Sequence, residues 1–431
     1  MNLARFNHVL IPSTKAERDK RRRGPLGRIL VEPLAKTYYA LSPEGRAAFA
    51  LAAVAAFSGL DVERSQSSML WALLFSLILV TLAVRRLFAL QGVTIRVSAP
   101  ERIMAGEQAH FEVCLENRSE REHHAVHVDG PFLPWDGAWR RATASLRQLL
   151  PGESRRVTLT ARFEARGPHE LDQFSASALV PLRLTRGPRL WSAGTRFTVV
   201  PRVAPVEPLS LPPAPCYQQG GVARASHTGE SLELVGVRPY REGDRLRDLH
   251  AKTWARTGKP AVREYHQEYF SRVGVVLDTD GTKTREEEFE AGISLTAGIV
   301  SRLFQSEALI DLLITGDQLH ALTLGRSLGC LERALDQLAS VQPGPPFEAP
   351  RVEHLLGPRL SRLSNVILVS PGWDSARDAL VRAIERSGVG CRCVAVCAPK
   401  RPRAPLLSDR VRVLSSSEVR EACETGKAVT L

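Results

Sequence analysis

VVLDTDGTKT, residues 275–284, places two acids directly after an apolar run. Three apolar residues lead into Asp278, and Asp280 follows after a single Thr. An apolar run of this kind is typical of a strand that is buried on both faces, as in a parallel sheet. Functional side chains gather at the carboxyl ends of such strands, so this stretch marks a candidate site.

Downstream of this strand, apolar strands and amphipathic helices alternate to the end of the chain. Helices are predicted around residues 285–304, 328–341, 375–387 and 416–424, and strands at ALIDLLIT, QLHALTL, NVILVS, CRCVAVCA and RVRVL. This alternation is typical of a doubly wound α/β domain with a largely parallel sheet. The sequence therefore predicts such a domain over residues 271–431, with Asp278 at the end of its first strand.

Residues 91–205 have the pattern of an all-β domain. Apolar residues alternate in VTIRV, FEVCL and VTLTARF, and the turn sequences ENRS and PGES separate such runs. Alternation indicates strands with one buried face, and regular turns favour a small β-sandwich. Residues 206–270 are expected to hold a linker and a charged segment, with the Pro-rich stretch 203–215 as the linker.

Two apolar stretches precede the β-domain. The first follows Ser42, which suits a helix N-cap, and a helix from there to Leu60 would reach about 27 Å. The second, Ser65–Val84, has twenty residues and no charge. Because both stretches lie close together and are flanked by charge, we predict a transmembrane helical hairpin over residues 42–90 rather than two buried core helices.

The distribution of basic residues predicts the orientation of this hairpin. Residues 1–46 contain ten Lys or Arg against four acids, and Arg85, Arg86 and Arg96 follow the second stretch. The positive-inside rule then places both ends of the hairpin in the cytoplasm. Residues 1–41 are expected to be a basic cytoplasmic segment. The domains after residue 90 are expected to face the cytoplasm, in a multi-pass protein held in the lipid bilayer.

Composition excludes some classes of function. The chain has 431 residues, of which 44% are apolar, and a net charge of +12. Basic and aromatic residues are not interleaved and no nucleic-acid motif occurs, so we expect no nucleic-acid partner. The seven cysteines are widely spread. Cys391, Cys393 and Cys397 fall on one face of a predicted strand, where buried thiols are favoured over a metal cluster.

The most specific segment is GESLELVGVRPYREGDRLRDLHAKTWARTGKPAVREYHQE, residues 229–268. It resembles the signature of the bacterial domain-of-unknown-function family numbered fifty-eight. The residues that carry the resemblance are Arg238, Tyr240, Gly243, Asp244, Arg247, Leu249, His250, Lys252, Ala255, Arg256, Thr257, Gly258, Val262, Arg263 and Glu264. Ala251 stands where that family usually has Trp, and Trp254 lies three residues further on. The resemblance covers the whole architecture, from the hairpin to the α/β domain.

The same segment predicts a capped helix. Asp244 suits its N-cap and Gly258 its end, and Asp248 and Lys252 have the spacing of a favourable i, i+4 ion pair. Two interpretations stay open: an ion-pair network that clamps this helix to the α/β domain, or a docking surface for a partner. The residues in question are Arg238, Tyr240, Asp244, Arg247, His250, Lys252 and Arg256.

The resemblance also implies a metal at residues 278–282, which we call the opening motif. The C-terminal part of that family resembles a von Willebrand factor A-like domain, which binds Mg²⁺ or Mn²⁺ through an Asp-x-Ser-x-Ser loop. The matching residues are Asp278, Asp280 and Thr282, whose oxygens suit such a cation. Asp280 replaces a Ser, and the strand NVILVS ends at Ser370 without the expected acid. The alternative is that the two acids cap the following helix.

A second family also matches this motif. Asp278-x-Asp280-Gly-Thr agrees letter for letter with the first motif of haloacid-dehalogenase-like, Mg-dependent phosphatases, in which Asp278 would be the nucleophile and Asp280 the general acid/base. The further groups of such an enzyme are a hydroxyl, an acid pair and a lysine. The chain offers Thr315, Asp374 and Asp378, but no Lys between positions 283 and 400. Because the set is incomplete, we expect no enzyme.

The family resemblance implies a function for the whole chain. It implies a bacterial, membrane-anchored scaffold or adaptor that works with a MoxR-type AAA+ ATPase. The chain has no Gly-rich phosphate loop ending in Lys-Ser or Lys-Thr, so we do not expect it to be that motor itself. We expect a non-enzymatic protein of the cytoplasmic membrane, with the phosphatase as the alternative.

Overall fold

A computed structural model describes residues 37–58, 65–209, 234–244, 246–265, 272–282, 284–306, 308–316, 320–324, 328–398 and 411–431. The chain divides into two compact units, Met1–Val200 and Pro201–Leu431. Most of the predicted basic segment, and the predicted linker beyond residue 209, lie outside the described residues.

Two helices of the first unit contain the apolar stretches. Helix α1 is Pro43–Ser58, and helix α2 is Ser65–Val84, which continues into a short 3-10 helix, Arg85–Phe88. The Ser42 hydroxyl accepts a hydrogen bond from the N–H of Gly45 at 2.9 Å. This bond confirms the predicted N-cap of the first helix.

One helix among the described residues is long and apolar enough to cross a membrane. It is Ser68–Phe88, with 21 residues and a mean hydropathy of 2.0. Helix α1 has only 16 residues. At about 24 Å it is shorter than the hydrocarbon core of about 30 Å. The lengths of the described helices therefore support one membrane span. They do not support the predicted multi-pass arrangement.

The described residues of the first unit also form eleven strands. They are β1 Val93–Ser98, β2 Arg102–Met104, β3 Gln108–Asn117, β4 His123–Asp129, β5 Gly137–Arg141, β6 Thr143–Leu149, β7 Ser154–Phe163, β8 Gly167–Leu171, β9 Ser175–Ala178, β10 Leu190–Trp191 and β11 Thr195–Val200. Two four-stranded sheets have the orders β1-β3-β7-β5 and β10-β9-β4-β6, and a third sheet has the order β2-β11-β8.

The strand alternation read from the sequence places the core of this β-domain. Phe111, Val113 and Leu115 on β3 are fully buried, and so are Leu159 and Phe163 on β7. These side chains join residues of the second four-stranded sheet in one hydrophobic cluster. The prediction of an all-β domain with one buried face per strand is confirmed.

The boundary between the units lies at Val200 rather than at residue 205. Residues just after Val200 pack into the second unit: the N–H of Ala204 donates to the Ser294 carbonyl at 3.1 Å, and Val206 forms a parallel bridge with Val429. Ala204 and Val206 are both buried there. The start of the predicted linker is therefore part of the α/β unit.

The signature segment forms a small hairpin with a helix inserted in it. Strands β12, Leu234–Pro239, and β13, Ala261–Tyr265, pair antiparallel in a two-stranded sheet, and helix α3, Ala251–Thr257, lies between them in the chain. Gly258 ends α3 in the left-handed conformation with φ of 68°, which confirms the predicted stop.

The α/β domain has a six-stranded sheet. Its strands are β14 Arg272–Leu277, β15 Leu309–Ile314, β16 His320–Leu324, β17 Asn365–Ser370, β18 Gly390–Cys397 and β19 Val411–Ser415. Its helices are α4 Glu286–Gln305, α5 Leu328–Ser340, α6 Ala349–Leu360, α7 Ser375–Arg386 and α8 Ser416–Thr425. The sheet order is β16-β15-β14-β17-β18-β19, and among these described strands β16 alone pairs antiparallel.

Helices cover both faces of this sheet. One hydrophobic cluster joins Val275 and Leu277 of β14 to residues of α4, α5 and α8, and another joins Val276 to residues of α6 and α7. Strand β14 is thus buried on both sides, as its continuous apolar run predicts. The doubly wound, largely parallel domain is confirmed. Helix α6 is an addition that the sequence pattern did not indicate.

Candidate functional site

The opening motif lies at the switch point of the sheet. Strand β14 has β15 on one side and β17 on the other, and the chain order reverses between β14 and β17. Asp278 follows β14, and Ser370 ends β17. Crevices at such switch points are the usual position of sites in doubly wound domains.

A buried arginine, Arg377, binds both acids of the motif. Its Nη2 lies 2.7 Å from Asp278 Oδ2 and 3.1 Å from Asp280 Oδ2, and its Nε lies 2.8 Å from Asp278 Oδ2. Its Nη1 lies 2.8 Å from Oδ2 of Asp374, which caps helix α7 by accepting from the Arg377 N–H at 3.1 Å. One guanidinium thus joins two carboxylates of the loop after β14 to the carboxylate that caps α7.

Neighbouring groups complete this network. Ser370 Oγ donates to Asp278 Oδ2 at 2.7 Å and accepts from Arg377 Nε at 2.6 Å. The ring of Phe347 lies 4.7 Å from the guanidinium carbon, a favourable cation–π distance. The donors that converge on Asp278 favour its carboxylate form, which only accepts hydrogen bonds.

The network is deeply buried, and burial sets its electrostatics. The side chains of Arg377 and Asp278 are 6% and 1% exposed. Burial raises the pKa of Asp278, and Arg377 opposes this rise. Burial works against the charge of Arg377, but Asp278 and Asp374 raise its pKa above the ordinary value. Burial also works against ionisation of Asp280, yet hydrogen bonds from Thr282 lower the pKa of that carboxyl.

The loop after β14 is held in place by its own hydrogen bonds. Asp280 Oδ1 accepts from the N–H of Thr282 at 3.0 Å and from its hydroxyl at 2.6 Å. The N–H of Gly344 donates to the Thr279 carbonyl at 2.6 Å, and the Gly281 N–H donates back to Gly344 at 3.2 Å. A Cβ on Gly281 would lie 2.5 Å from the side chain of Pro343, so this contact requires glycine.

The predicted helix-capping role of the acids is wrong. Helix α4 begins after Arg285, whose N–H donates to Glu288 at 3.0 Å. The carboxylates of Asp278 and Asp280 instead accept from their own loop, from Ser370 and from Arg377. Their position is set by the loop and by helix α7.

The arrangement does not fit a divalent cation while Arg377 holds this position. All four carboxylate oxygens of Asp278 and Asp280 already accept hydrogen bonds, and the Thr282 hydroxyl donates to Asp280. Within the described part of the chain, no three His, Cys, Asp or Glu side chains are grouped to hold a metal. A cationic side chain stands where Mg²⁺ or Mn²⁺ was predicted, so the metal stays a prediction that requires its own test.

Of the other groups predicted for a phosphatase, Asp374 meets Asp278 only through Arg377, and Thr315 and Asp378 have other partners. The Thr315 hydroxyl donates to the Leu277 carbonyl at 3.2 Å and accepts from the Thr279 N–H at 3.1 Å. Asp378 accepts from the Trp373 indole at 3.0 Å. The cavity beside the loop, lined in part by Thr279, Thr315 and Phe347, measures about 20 Å³. That is room for one water molecule. Position 283 lies outside the described residues.

Cys393 follows the apolar interpretation, and Cys391 and Cys397 are half-buried. Cys393 is buried, and its Sγ lies 3.8 Å from that of Cys391 on the same strand. Burial with this neighbouring thiol holds the pKa of Cys391 well above its ordinary value, chiefly through the hydrogen bond between the two thiols. Such protonated thiols are poor metal ligands.

The structure corrects the predicted cap of the signature helix. Asp244 does not cap α3. Its carboxylate accepts hydrogen bonds from Nη1 and Nη2 of Arg238, at 2.8 and 2.7 Å. The N-cap is His250, whose Nδ1 accepts from the Thr253 N–H at 3.3 Å. Asp248 lies before this cap, in a 3-10 helix, and its carboxylate lies 3.9 Å from Arg247 Nε rather than pairing with Lys252.

The signature residues divide into a bracing set and an exposed set. Arg238 and Asp244 brace the β-hairpin of strands β12 and β13, and the Tyr240 N–H donates to the Pro260 carbonyl at 3.0 Å. On α3, by contrast, Lys252 and Arg256 are exposed. Trp254 is 46% exposed. The helix therefore presents a basic and aromatic surface.

Sequence reasoning missed Arg377, the residue that organises the site. A cation in the first turn of a helix is unfavourable beside the positive end of the helix dipole. An Arg three residues after an N-cap Asp, next to a strand end, was therefore a signal that carboxylates lay nearby. Only the fold shows which carboxylates these are.

Comparisons with known proteins add little to this site. No protein family and no curated protein sequence matches the chain. Among solved structures, native alpha-2-macroglobulin from Escherichia coli is 15% identical over 28% of this chain and 8% of its own, with a TM-score of 0.21. The CARDB domain of a Pyrococcus furiosus protein, in complex with di-metal ions, is 14% identical over 26% of this chain and 90% of its own, with a TM-score of 0.19. This chain therefore spans under a tenth of the macroglobulin, and no functional conclusion rests on either.

Proposed function

We propose that this protein is a membrane-anchored scaffold or adaptor of the bacterial cytoplasmic membrane. Its second unit would be a von Willebrand factor A-like domain without enzymatic activity. The observation that carries the proposal is the engagement of Asp278 and Asp280 by Arg377. A nucleophile needs a free oxygen that faces a substrate, and these oxygens face a buried guanidinium instead. Acids used in this way stabilise a loop, as a scaffold requires.

The exposed side chains of the two helices support the membrane anchor. Phe57 on α1 is 83% exposed, and Met69 and Leu73 on α2 are 73% and 62% exposed. An apolar surface of this extent is unfavourable in water and favourable in the hydrocarbon core of a bilayer. The apolar composition of the helices and the exposed positions of these side chains both support a membrane anchor.

The ends of the helices support a hairpin with both ends on one side. Leu41, just before α1, forms an antiparallel bridge with Thr185 of the β-domain. The Thr185 hydroxyl donates to the Thr81 carbonyl near the end of α2 at 3.0 Å. The start of α1 and the end of α2 thus meet the same loop. In a membrane, α1 would enter and α2 would leave at the same face.

Aromatic and basic residues gather at that face. Arg46 lies 3.9 Å above the ring of Tyr38, and Arg189 lies 5.6 Å from the ring of Tyr39 and 5.7 Å from that of Trp191. Tyr and Trp prefer the membrane interface, and basic residues prefer the cytoplasmic side. These residues support a cytoplasmic position for the β-domain.

The exposed surface of α3 supports a partner-binding role. We define the signature surface as Arg247, Lys252, Trp254, Arg256 and Lys259, which are all exposed. An exposed Trp among basic residues is typical of a binding hot spot for an acidic surface. We propose a MoxR-type AAA+ ATPase as the partner, as the family resemblance implies.

Co-purification in detergent tests this partner. The full chain should retain the ATPase, and Trp254→Ala together with Arg256→Ala should reduce retention without lowering the melting temperature. Arg382→Ala is the matched control, because Arg382 is an Arg on α7 whose side chain is 72% exposed. A lower melting temperature with unchanged retention would favour the bracing interpretation. Equal retention by all variants contradicts docking at this surface.

The phosphatase is the second candidate, and the position of Asp278 favours it. Asp278 lies at the carboxyl end of the central strand β14, where a nucleophile of this class is expected. An activated phosphate ester with Mg²⁺ tests it, with Asp278→Asn as the control. We expect no turnover above that control. Turnover that depends on Asp278 would overturn the scaffold proposal.

A further inference from the structure

A cavity of about 840 Å³ opens in the first unit beside the end of the apolar helix. Leu87 and Phe88 line one side, residues of strands β4 and β6 line another, and the loop 179–183 lines a third. A cavity of this size accommodates a small molecule or the headgroup of a lipid.

The polar lining of this cavity is mainly basic. Arg121, Arg147 and Arg183 line it with two histidines, and Glu122 is the single acid among its lining residues. Glu122 lies 3.6 Å from His124 Nε2. Arg121 and Arg147 are exposed, and neither has an ion pair with a residue in the described part of the chain. The cavity therefore offers unpaired guanidinium groups to an anion.

The cavity lies where the apolar helix ends. The helix Ser68–Phe88 has its last residues in the cavity wall. Leu87 and Leu182, which also line the cavity, are 82% and 65% exposed. Exposed apolar side chains beside a basic cavity suit a ligand that has both an anionic group and acyl chains.

The loop on the third side is held in an unusual conformation. Leu182 and Arg183 have φ of 66° and 57°, in the left-handed region that is unfavourable for residues with a Cβ. The Ser42 hydroxyl donates to the Arg183 carbonyl, and the Arg183 N–H donates to the Val180 carbonyl at 2.9 Å. The start of helix α1 thus helps to hold Leu182 and Arg183 at the cavity. Strain that persists in this way is a frequent feature of ligand sites.

We propose that this cavity binds the phosphate headgroup of an anionic phospholipid from the adjoining leaflet. The phosphate would interact with Arg121, Arg147 and Arg183, and the acyl chains would lie against Leu87 and the exposed apolar face of α2. Arginine is well suited to phosphate because its fork of donors binds two oxygens. The inference rests on the proposed membrane anchor, and it adds a lipid class that this anchor selects.

Native mass spectrometry of the full chain in nanodiscs tests the proposal. The nanodiscs contain phosphatidylcholine with or without phosphatidylglycerol, and bound lipid is counted after release. We expect the parent to retain phosphatidylglycerol and the triple variant Arg121→Gln, Arg147→Gln, Arg183→Gln to retain at least about tenfold less. Each basic residue near an anionic surface contributes roughly fivefold, so three exceed this limit. The matched control is the triple Gln variant of Arg140, Arg141 and Arg156, which are exposed and lie outside the cavity lining.

The outcomes separate this inference from the anchor itself. Equal lipid retention by the parent and the cavity variant overturns the lipid site while the anchor stands. A chain that does not enter nanodiscs overturns both. Displacement of the lipid by millimolar glycerol phosphate would assign the site to a soluble phosphate and overturn the lipid source. If the triple variant does not fold, Arg147→Glu alone is the replacement, because Arg147 is exposed on β6.

Discussion

Replacing Arg377 by Met should destabilise the α/β unit strongly. Met keeps an apolar stem of similar length but removes the guanidinium that lies 2.7 Å from Asp278 and 3.1 Å from Asp280. Asp278 is 1% exposed. It would then be a buried carboxylate without a counter-charge. Breaking a buried pair by removing one partner costs about 3–5 kcal/mol.

The expected loss corresponds to a large change in thermal stability. For a unit of this size, each kcal/mol lowers the melting temperature by roughly 2–4 °C, so Arg377→Met should lower it by about 6–20 °C. The measurement is thermal unfolding of the full chain in detergent. Hydrogen exchange of peptides that cover β14 and β17 would assign the transition to the second unit.

Two further variants make this prediction sharp. Arg382→Met removes an Arg from the same helix, but that side chain is 72% exposed and pairs with Asp378 at 3.2 Å, so the loss should stay below about 1 kcal/mol. Adding Asp278→Asn to Arg377→Met removes the buried carboxylate that has lost its counter-charge, and should restore part of the stability. If Arg377→Met melts within about 2 °C of Arg382→Met, a fraction of the expected loss, the reasoning from buried charge is refuted.

Three other predictions follow from the same structure. Mg²⁺ should leave the melting temperature of the parent unchanged and raise it in Arg377→Ala, where Asp278 is released; a rise in the parent that Asp278→Ala abolishes would establish a metal site instead. Burial works against the charge of His169, but its hydrogen bond to Asp136 raises its pKa above 6.5, so this pair stabilises the first unit below pH 6.5 and loses effect as the pH rises through the raised pKa. The pH dependence of unfolding should weaken in Asp136→Asn. Reporters at residue 90 and at the C-terminus should both report cytoplasm, and one between residues 60 and 65 the outside; a chain that stays in solution after lysis without detergent contradicts the anchor.

The alternation of apolar residues was sufficient to predict the strands. Each predicted strand of the α/β domain is present, whereas only β1, β3 and β7 of the described β-domain strands were predicted. Strands β14 and β17 are buried along almost their whole length, and a strand buried on both faces must be largely apolar. Helix α6 was missed for a related reason. Pro350 lies in its first turn, Pro358 lies inside it, and Gly357 precedes the second Pro. Pro358 and Gly357 normally argue against a helix interior, although Pro350 suits a first turn.

Cap positions were predicted less well than the elements themselves. Gly258 ends α3 as expected, because a left-handed residue after a helix is nearly always Gly. Asp244 does not begin that helix, because Arg238 on the preceding strand binds its carboxylate and the Arg241 N–H donates to it at 2.8 Å. Helix ends that depend on contacts within a few residues are predictable. Those that compete with a partner across a hairpin are not.

The opening motif shows where reading a short sequence reaches its limit. Five residues, Asp278 to Thr282, are compatible with a phosphatase, a metal-binding loop and a loop held by an ion pair. What separates these possibilities is the partner of the two acids, and that partner is 99 residues away in the chain. The sheet order places β17 beside β14, so the helix that follows β17 begins next to the acids. An Arg in its first turn then becomes the counter-charge. A Lys or a Ser at position 377 would leave the same motif with a different chemistry, which is why the Arg377 variants, rather than further variants of the motif, decide between the three.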